Sequence, residues 1–175
     1  MSTVAVLVFS CAKYKDPAPR NLGLTNPYCN DPAAVNYNWG FPGKPDNTVC
    51  LYPCDFFRGI YTYYDSVYRD TLFLYADSFT MTIDTLSHTK ISVLGFCNGG
   101  NRFTATASPT YTATVDTTVG DSTVLHLGQL LCRPNDTLTG TITRDLIDSN
   151  LFRVNLQIVS DTGISIHVGS ARRNK

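Results

Sequence analysis

From Arg58 to Gly169 apolar and polar residues alternate with a period of two. In SFTMTIDTL, Phe79, Met81 and Ile83 fall on one face and Thr80, Thr82 and Asp84 on the other. IYTYYDSVY, FTATAS, YTATVDTT and TLTGTITR follow the same rule. Val154, Leu156 and Ile158 of FRVNLQIVS share a face, as do Ile164, Ile166 and Val168 of GISIHVGS. Successive side chains of a strand point to opposite sides, so this pattern predicts strands with one buried face. Turn residues separate them at short intervals: Ser87-His88, Asn98-Gly99-Gly100, Ser108-Pro109, Gly120-Asp121, Pro134-Asn135-Asp136, Asp148-Ser149-Asn150 and Asp161-Thr162-Gly163. Links this short join antiparallel neighbours. The expected fold is all-β: an antiparallel meander of about eight to ten strands over residues 55–170, closed or nearly closed as a barrel, with a two-sheet sandwich as the alternative. Residues 171–175 are polar and read as a disordered tail.

Before residue 55 the alternation is absent. Residues 29–54 are punctuated throughout by Pro, Gly, Asn and Asp and read as loop. Residues 12–28 are polar, with Pro17 and Pro19, and read as a flexible tether. Residues 1–11 hold a short apolar run, Val4 to Phe9, ending at Cys11.

Composition sharpens the fold class. Thr, Tyr, Val, Asp, Asn and Ser are plentiful, and every acidic residue is Asp. That balance favours strands over helices. The formal net charge is zero and no basic stripe is visible, which argues against a nucleic-acid partner. No run approaches the roughly 20 apolar residues of a membrane-spanning helix. Six cysteines point to an oxidising, exported setting.

Val8-Phe9-Ser10-Cys11 resembles a bacterial lipobox, in which an apolar and a small residue precede the cysteine. The resemblance implies cleavage before Cys11 and lipidation of that residue, and so a protein anchored to the outer membrane or cell surface of a cell envelope. A diacyl anchor gives stable attachment where one chain is marginal. An ordinary strand ending in a buried thiol is the alternative.

The segment NPYCNDPAAVNYNWGFPGKPDNTVCLYPC resembles a bacterial cell-surface motif of the form C-x-D-P-x-A-x-N-Y-N, a spacer, then D-[DN]-x-[ST]-x-C with an aromatic and Pro. The matching positions are Cys29, Asp31, Pro32, Ala34, Asn36, Tyr37, Asn38, Asp46, Asn47, Cys50, Tyr52 and Pro53. A Cys29–Cys50 bridge would close a loop too poor in apolar residues to hold itself, contributing roughly 3 kcal/mol on the chain-entropy account. Asp31, Asn36, Asn38 and Asp46 offer hard oxygens of the kind that surround Ca²⁺, the one candidate cofactor, but with only two carboxylates among them the capping of turns is the first reading. Trp39 is expected to anchor the loop on the β body, with exposure on a carbohydrate-binding face as the other reading.

Phe57-Arg58-Gly59-Ile60-Tyr61 is similar to the start of lipocalin-like barrels, where a Gly and an aromatic open the first strand. That likeness implies a barrel able to carry a small hydrophobic ligand. Cys97 and Cys132 each lie where a strand meets a turn and are candidates for a second bridge; Cys54 with either one is the alternative.

Gly95-Phe96-Cys97-Asn98-Gly99 matches the nucleophile elbow of dienelactone-hydrolase-like enzymes in form. That chemistry needs a strand-to-helix turn, whereas β-branched alternation follows here, so a hairpin is expected. Asp161-Thr162-Gly163 matches the aspartic-protease triplet, but one copy supplies one carboxylate and a tight turn explains it. His88, His126 and His167 are scattered and read as structural. The function expected from these residues is a non-enzymatic, lipid-anchored envelope protein with a binding or structural β domain. A lipocalin-like carrier is the alternative, and a hydrolase using Cys97 the remote one.

Overall fold

The computed structural model describes residues 24–97, 101–117, 129–131, 133 and 136–174. Its body is a closed barrel of eight antiparallel strands in meander order. Around the wall run β3 (Gly59–Arg69), β4 (Leu72–Thr85), β5 (Lys90–Leu94), β6 (Arg102–Ala107), β7 (Thr112–Val115), β9 (Thr137–Arg144), β10 (Leu151–Ser160) and β11 (Gly163–Arg173). β11 pairs back onto β3, which closes the ring. The short β8 (Gln129–Leu130) lies on the same edge of β9 as β7. Two short strands precede the barrel, β1 (Pro27–Tyr28) and β2 (Lys44–Pro45), which pair in parallel.

The alternation places Tyr61, Tyr63, Val67, Met81, Ile83, Phe103, Leu138, Ile142, Phe152 and Leu156 inside, nearly free of solvent. Closing a sheet brings its backbones into tight contact at a few points. At Gly140, with φ of 138°, a Cβ would lie 2.2 Å from the Asn155 carbonyl oxygen across the β9–β10 ladder, so only glycine fits. The two-residue turn Asp161-Thr162 joins β10 to β11, with Gly163 at φ 115° as expected of a tight turn.

One end of the barrel is plugged. Helix α1 (Pro53–Phe57) starts with Pro53 in its first turn, where a missing N–H costs nothing. The Asp55 carboxylate accepts the Tyr52 N–H at its start. α1 inserts Cys54 and Phe57 into the core. Arg173, from the last strand, donates to the carbonyls of Phe56 (3.0 Å) and Arg58 (2.8 Å) and lies over the Tyr61 ring at 5.4 Å. The Tyr61 hydroxyl in turn donates to the Phe57 carbonyl at 2.6 Å. Helix, first strand and last strand are thereby tied at one point.

Several boundaries differ from the sequence expectation. Residues 171–173 are not a disordered tail: β11 runs to Arg173, and Ala171 is buried because Tyr63 lies opposite it in the ladder. The tether gives way to ordered chain before Cys29, since Tyr28 is buried against Phe41 and pairs with Pro45. The loop–barrel boundary at residues 54 and 55 falls inside α1, a helix too short to show a 3.6-residue period. Ile164, Ile166 and Val168 do share a face, but Ile164 and Val168 are exposed. The inward face of β11 carries Ser165, His167 and Ala171 instead.

Asp116 ties β5 to β6. Burial pushes its carboxyl up, but the Lys90 ammonium at 2.7 Å and the hydroxyls of Thr106 and Thr104 outweigh it and hold it below the usual range. The Asp148 and Ile147 amides donate to Asp145 and lower its carboxyl too. A carboxylate whose folded pKa is depressed contributes stability that is present above its unfolded pKa and is lost as pH falls through the folded value. The barrel is therefore expected to weaken below about pH 4. Asp116→Asn should flatten that dependence, which urea unfolding at neutral and acid pH will read.

Candidate functional site

The described residues at the end of the barrel opposite α1 line a cavity of about 450 Å³. Phe79, Phe96, Leu131 and Ile158 form an apolar wall, with Tyr75 beside them. Polar groups are interleaved with them around the lining: Asp65, Asp77, Arg133, Asp136, Ser160, Thr162, Ser165 and His167. A second groove, of about 480 Å³, lies toward the plugged end, lined by Thr62, Tyr64 and Asn150 and by Arg172 to Asn174.

The polar side of the mouth is organised by ladder geometry. Tyr63 and Asp65 are two apart on β3, so both point inward, as do Ser165 and His167 on β11. Asp65 lies opposite Gly169, and His167 two residues along, which makes Asp65 and His167 diagonal neighbours within reach. Gly169 has no side chain to intervene, and a Cβ there would lie 2.6 Å from the Tyr63 ring. The Tyr63 hydroxyl donates to Asp65 Oδ1 at 2.8 Å, and His167 Nδ1 lies 2.6 Å from Asp65 Oδ2. Ser165 Oγ lies 3.2 Å from His167 Nε2. Its other contact is the Ile158 carbonyl, at 3.5 Å.

Burial and the Asp65 carboxylate push the Tyr63 hydroxyl far up, so it stays protonated and donates. Asp65 Oδ2 can only accept, so in the neutral imidazole the proton sits on Nδ1 and Nε2 is the nitrogen that faces Ser165. Asp65 and His167 are 5 % and 9 % exposed. Tyr63, Asp65, His167 and Ser165 thus form one hydrogen-bonded line from the core to the cavity.

The expected disulfide is present: Cys29 and Cys50 are bonded, closing a loop of sequence separation 21. Cys97 is also disulfide-bonded, and its candidate partner Cys132 lies outside the described residues, as does Cys11. A bonded sulfur has no thiolate to attack with, so the hydrolase reading that used Cys97 as nucleophile is overturned. Cys54 is a free cysteine, buried beneath α1. Burial, and then the Asp55 charge, push its thiol up.

The four residues proposed for calcium are engaged in building the loop. Asp31 accepts the Ala33 amide at 2.9 Å and the Tyr52 hydroxyl at 3.0 Å, which lowers its carboxyl. Asn36 donates to the Val49 carbonyl and accepts the Leu51 amide, both at 2.8 Å, clamping the two arms of the loop. Asp46 caps a 3₁₀ turn over Asn47–Val49 through Thr48. Asn38 holds φ of 58°, and its amide reaches the Cys29 carbonyl at 2.8 Å. Among the described residues no group of three or more His, Cys, Asp or Glu is placed to hold a metal ion. Trp39 does not anchor the loop on the barrel: it is 65 % exposed, and the stack of Tyr52 on His88 at 3.6 Å makes that junction instead.

The bridge supports this loop alone. Replacing Cys29 and Cys50 together by serine is expected to cost the loop about 3 kcal/mol while the barrel still unfolds cooperatively. Hydrogen exchange should then show the Val35 and Leu51 amides losing protection before those of β3 and β11.

No family model matches this chain, and no curated protein matches it. Among solved structures it is similar to a redesigned β-barrel, with a TM-score of 0.46 and 15% identity over 70% of this chain and 96% of that one. It is similar also to EF1p2_mFAP2b, solved bound to DFHBI, with a TM-score of 0.44 and 14% identity over 70% of this chain and 97% of that one.

Proposed function

We propose that this chain is a lipid-anchored binding protein of the cell envelope, whose barrel takes a small amphipathic molecule into its mouth. The observation that carries the reading is the cavity of about 450 Å³ with its mixed apolar and polar lining, a size suited to small ligands. The ligand's apolar part rests on Phe79, Phe96 and Ile158, and its polar end meets His167, Ser165 and Arg133. The plug at the other end supports this reading, because a barrel closed at its base by α1 has the form of a cup. The anchor rests on the lipobox likeness of Cys11, and the stapled loop stands as a rigid spacer between lipid and barrel. The polar half of the lining favours an amphipathic ligand over a wholly hydrophobic one, since burying those groups against hydrocarbon would leave them without partners.

The test is titration with the neutral fluorescent probe N-phenyl-1-naphthylamine. Saturable binding is expected, lost on filling the cavity with Ile158→Trp and kept in Ile147→Trp, a site 98% exposed. A folded wild-type protein that gives no saturable signal, or one whose signal survives Ile158→Trp, defeats the proposal. Mass spectrometry of the membrane-bound protein tests the anchor, and a chain bearing no lipid on Cys11 would remove it.

A further inference from the structure

From the hydrogen-bonded line at the cavity wall we infer that Ser165 is a nucleophile, with His167 as its base and Asp65 as the group that positions the base, and that the barrel mouth hydrolyses small uncharged esters. The inference rests on the cavity being a ligand site and adds the reaction and the substrate class. Three features carry it. Ser165 Oγ lies 3.2 Å from one imidazole nitrogen, His167 Nε2. The other imidazole nitrogen is held at 2.6 Å by a carboxylate. Ser165 and His167 both line a cavity large enough for a substrate. A serine hydroxyl is a poor nucleophile until an adjacent base accepts its proton, and a base works best when a third group fixes its tautomer. All three relations hold here on two neighbouring strands, a rigid support.

The chemistry balances with water alone as co-reactant. Ser165 Oγ attacks the ester carbonyl carbon while its proton passes to His167 Nε2. The carbonyl electron pair moves to oxygen, and Arg133, in the same cavity, is the charged donor available to that oxyanion. Collapse breaks the bond to the leaving oxygen, which takes the proton from Nε2 and departs as the alcohol. Water then adds to the acyl-serine, giving one proton to Nε2. The acid leaves, and that proton returns to Ser165 Oγ. Asp77 and Asp136 stand in the cavity and disfavour an anionic acyl group, while Phe79, Phe96 and Ile158 accept a short apolar one.

The experiment treats the folded chain with a neutral alkyl fluorophosphonate and maps the adduct by peptide mass spectrometry, with N-phenyl-1-naphthylamine binding measured in parallel. One adduct is expected, on Ser165, with loss of fluoride, and none in Ser165→Ala. Asp65→Asn has the same shape, still accepts the Tyr63 hydroxyl, and turns His167 to the tautomer whose Nε2 carries a proton. It should remain folded, yet label roughly 10²–10⁴-fold more slowly. A purely structural Asp65 would leave that rate unchanged, which overturns the inference. So does probe binding without any adduct at Ser165. An adduct without probe binding sustains the nucleophile and defeats the amphipathic-ligand reading instead.

Discussion

Phe152→Ala is expected to destabilise the barrel by about 3–5 kcal/mol, the usual range for removing a large aromatic from a packed interior. Phe152 is fully buried on β10, with its ring centroid 5.3 Å from that of Phe57 and 5.1 Å from that of Tyr61. It therefore links the helical plug to the first strand and to the far wall. Those neighbours are held in place, Tyr61 through the Phe57 carbonyl and Arg173, and α1 through the carbonyls that Arg173 bonds. They cannot collapse into the space the ring leaves, so the cost includes a cavity as well as lost burial. For a chain of this length the melting temperature should fall by roughly 10 °C. Urea unfolding reads the difference, with Ile147→Ala, at an exposed turn, expected within about 0.5 kcal/mol of wild type. A Phe152→Ala loss below about 1 kcal/mol would mean that the plugged end is loosely packed.

The second large effect is at the site. Asp65→Ala removes the acceptor of two donors, the Tyr63 hydroxyl and the His167 Nδ1–H, both away from water. Each orphaned donor costs about 1–3 kcal/mol, so a loss of about 2–6 kcal/mol is expected. Asp65→Asn should cost far less, because one amide oxygen and one amide nitrogen can satisfy both neighbours. The contrast between the two variants in one set of unfolding curves is the measurement. Equal losses would show that charge at this position, and not hydrogen-bond pairing, is what the fold requires.

The polar line at the mouth was hidden in the sequence for a physical reason. In GISIHVGS the isoleucines and the valine are the obvious candidates for the buried face. Yet β11 turns Ile164 and Val168 outward and Ser165 and His167 inward. A strand near the mouth of a barrel lines a wet cavity on its inner side, so hydrophobicity does not identify which face is inside. Asp65 and His167 are also 102 residues apart in sequence, and their meeting depends on how β11 registers against β3. The one usable signal was the alternation itself: Tyr61, Tyr63, Asp65 and Val67 stand in phase, and an aspartate in phase with three buried residues needs a partner. The Arg173 clamp was missed likewise, since a basic residue at a chain end reads as solvated until its strand is seen to reach the plug.

Local pattern was enough to specify an antiparallel meander, the turns at Ser87-His88, Ser108-Pro109, Asp148-Ser149-Asn150 and Asp161-Thr162-Gly163, and the Cys29–Cys50 staple. Each depends on neighbours in sequence: side-chain period, turn chemistry, and a loop with too little apolar surface to hold itself. The turns expected at Asn98-Gly99-Gly100, Gly120-Asp121 and Pro134-Asn135 lie wholly or partly outside the described residues. Closure of the barrel, the α1 plug and the pairing of Asp65 with His167 were decided by tertiary structure alone. They follow from the register in which the last strand meets the first, and register is a property of two distant segments together, carried by neither one alone.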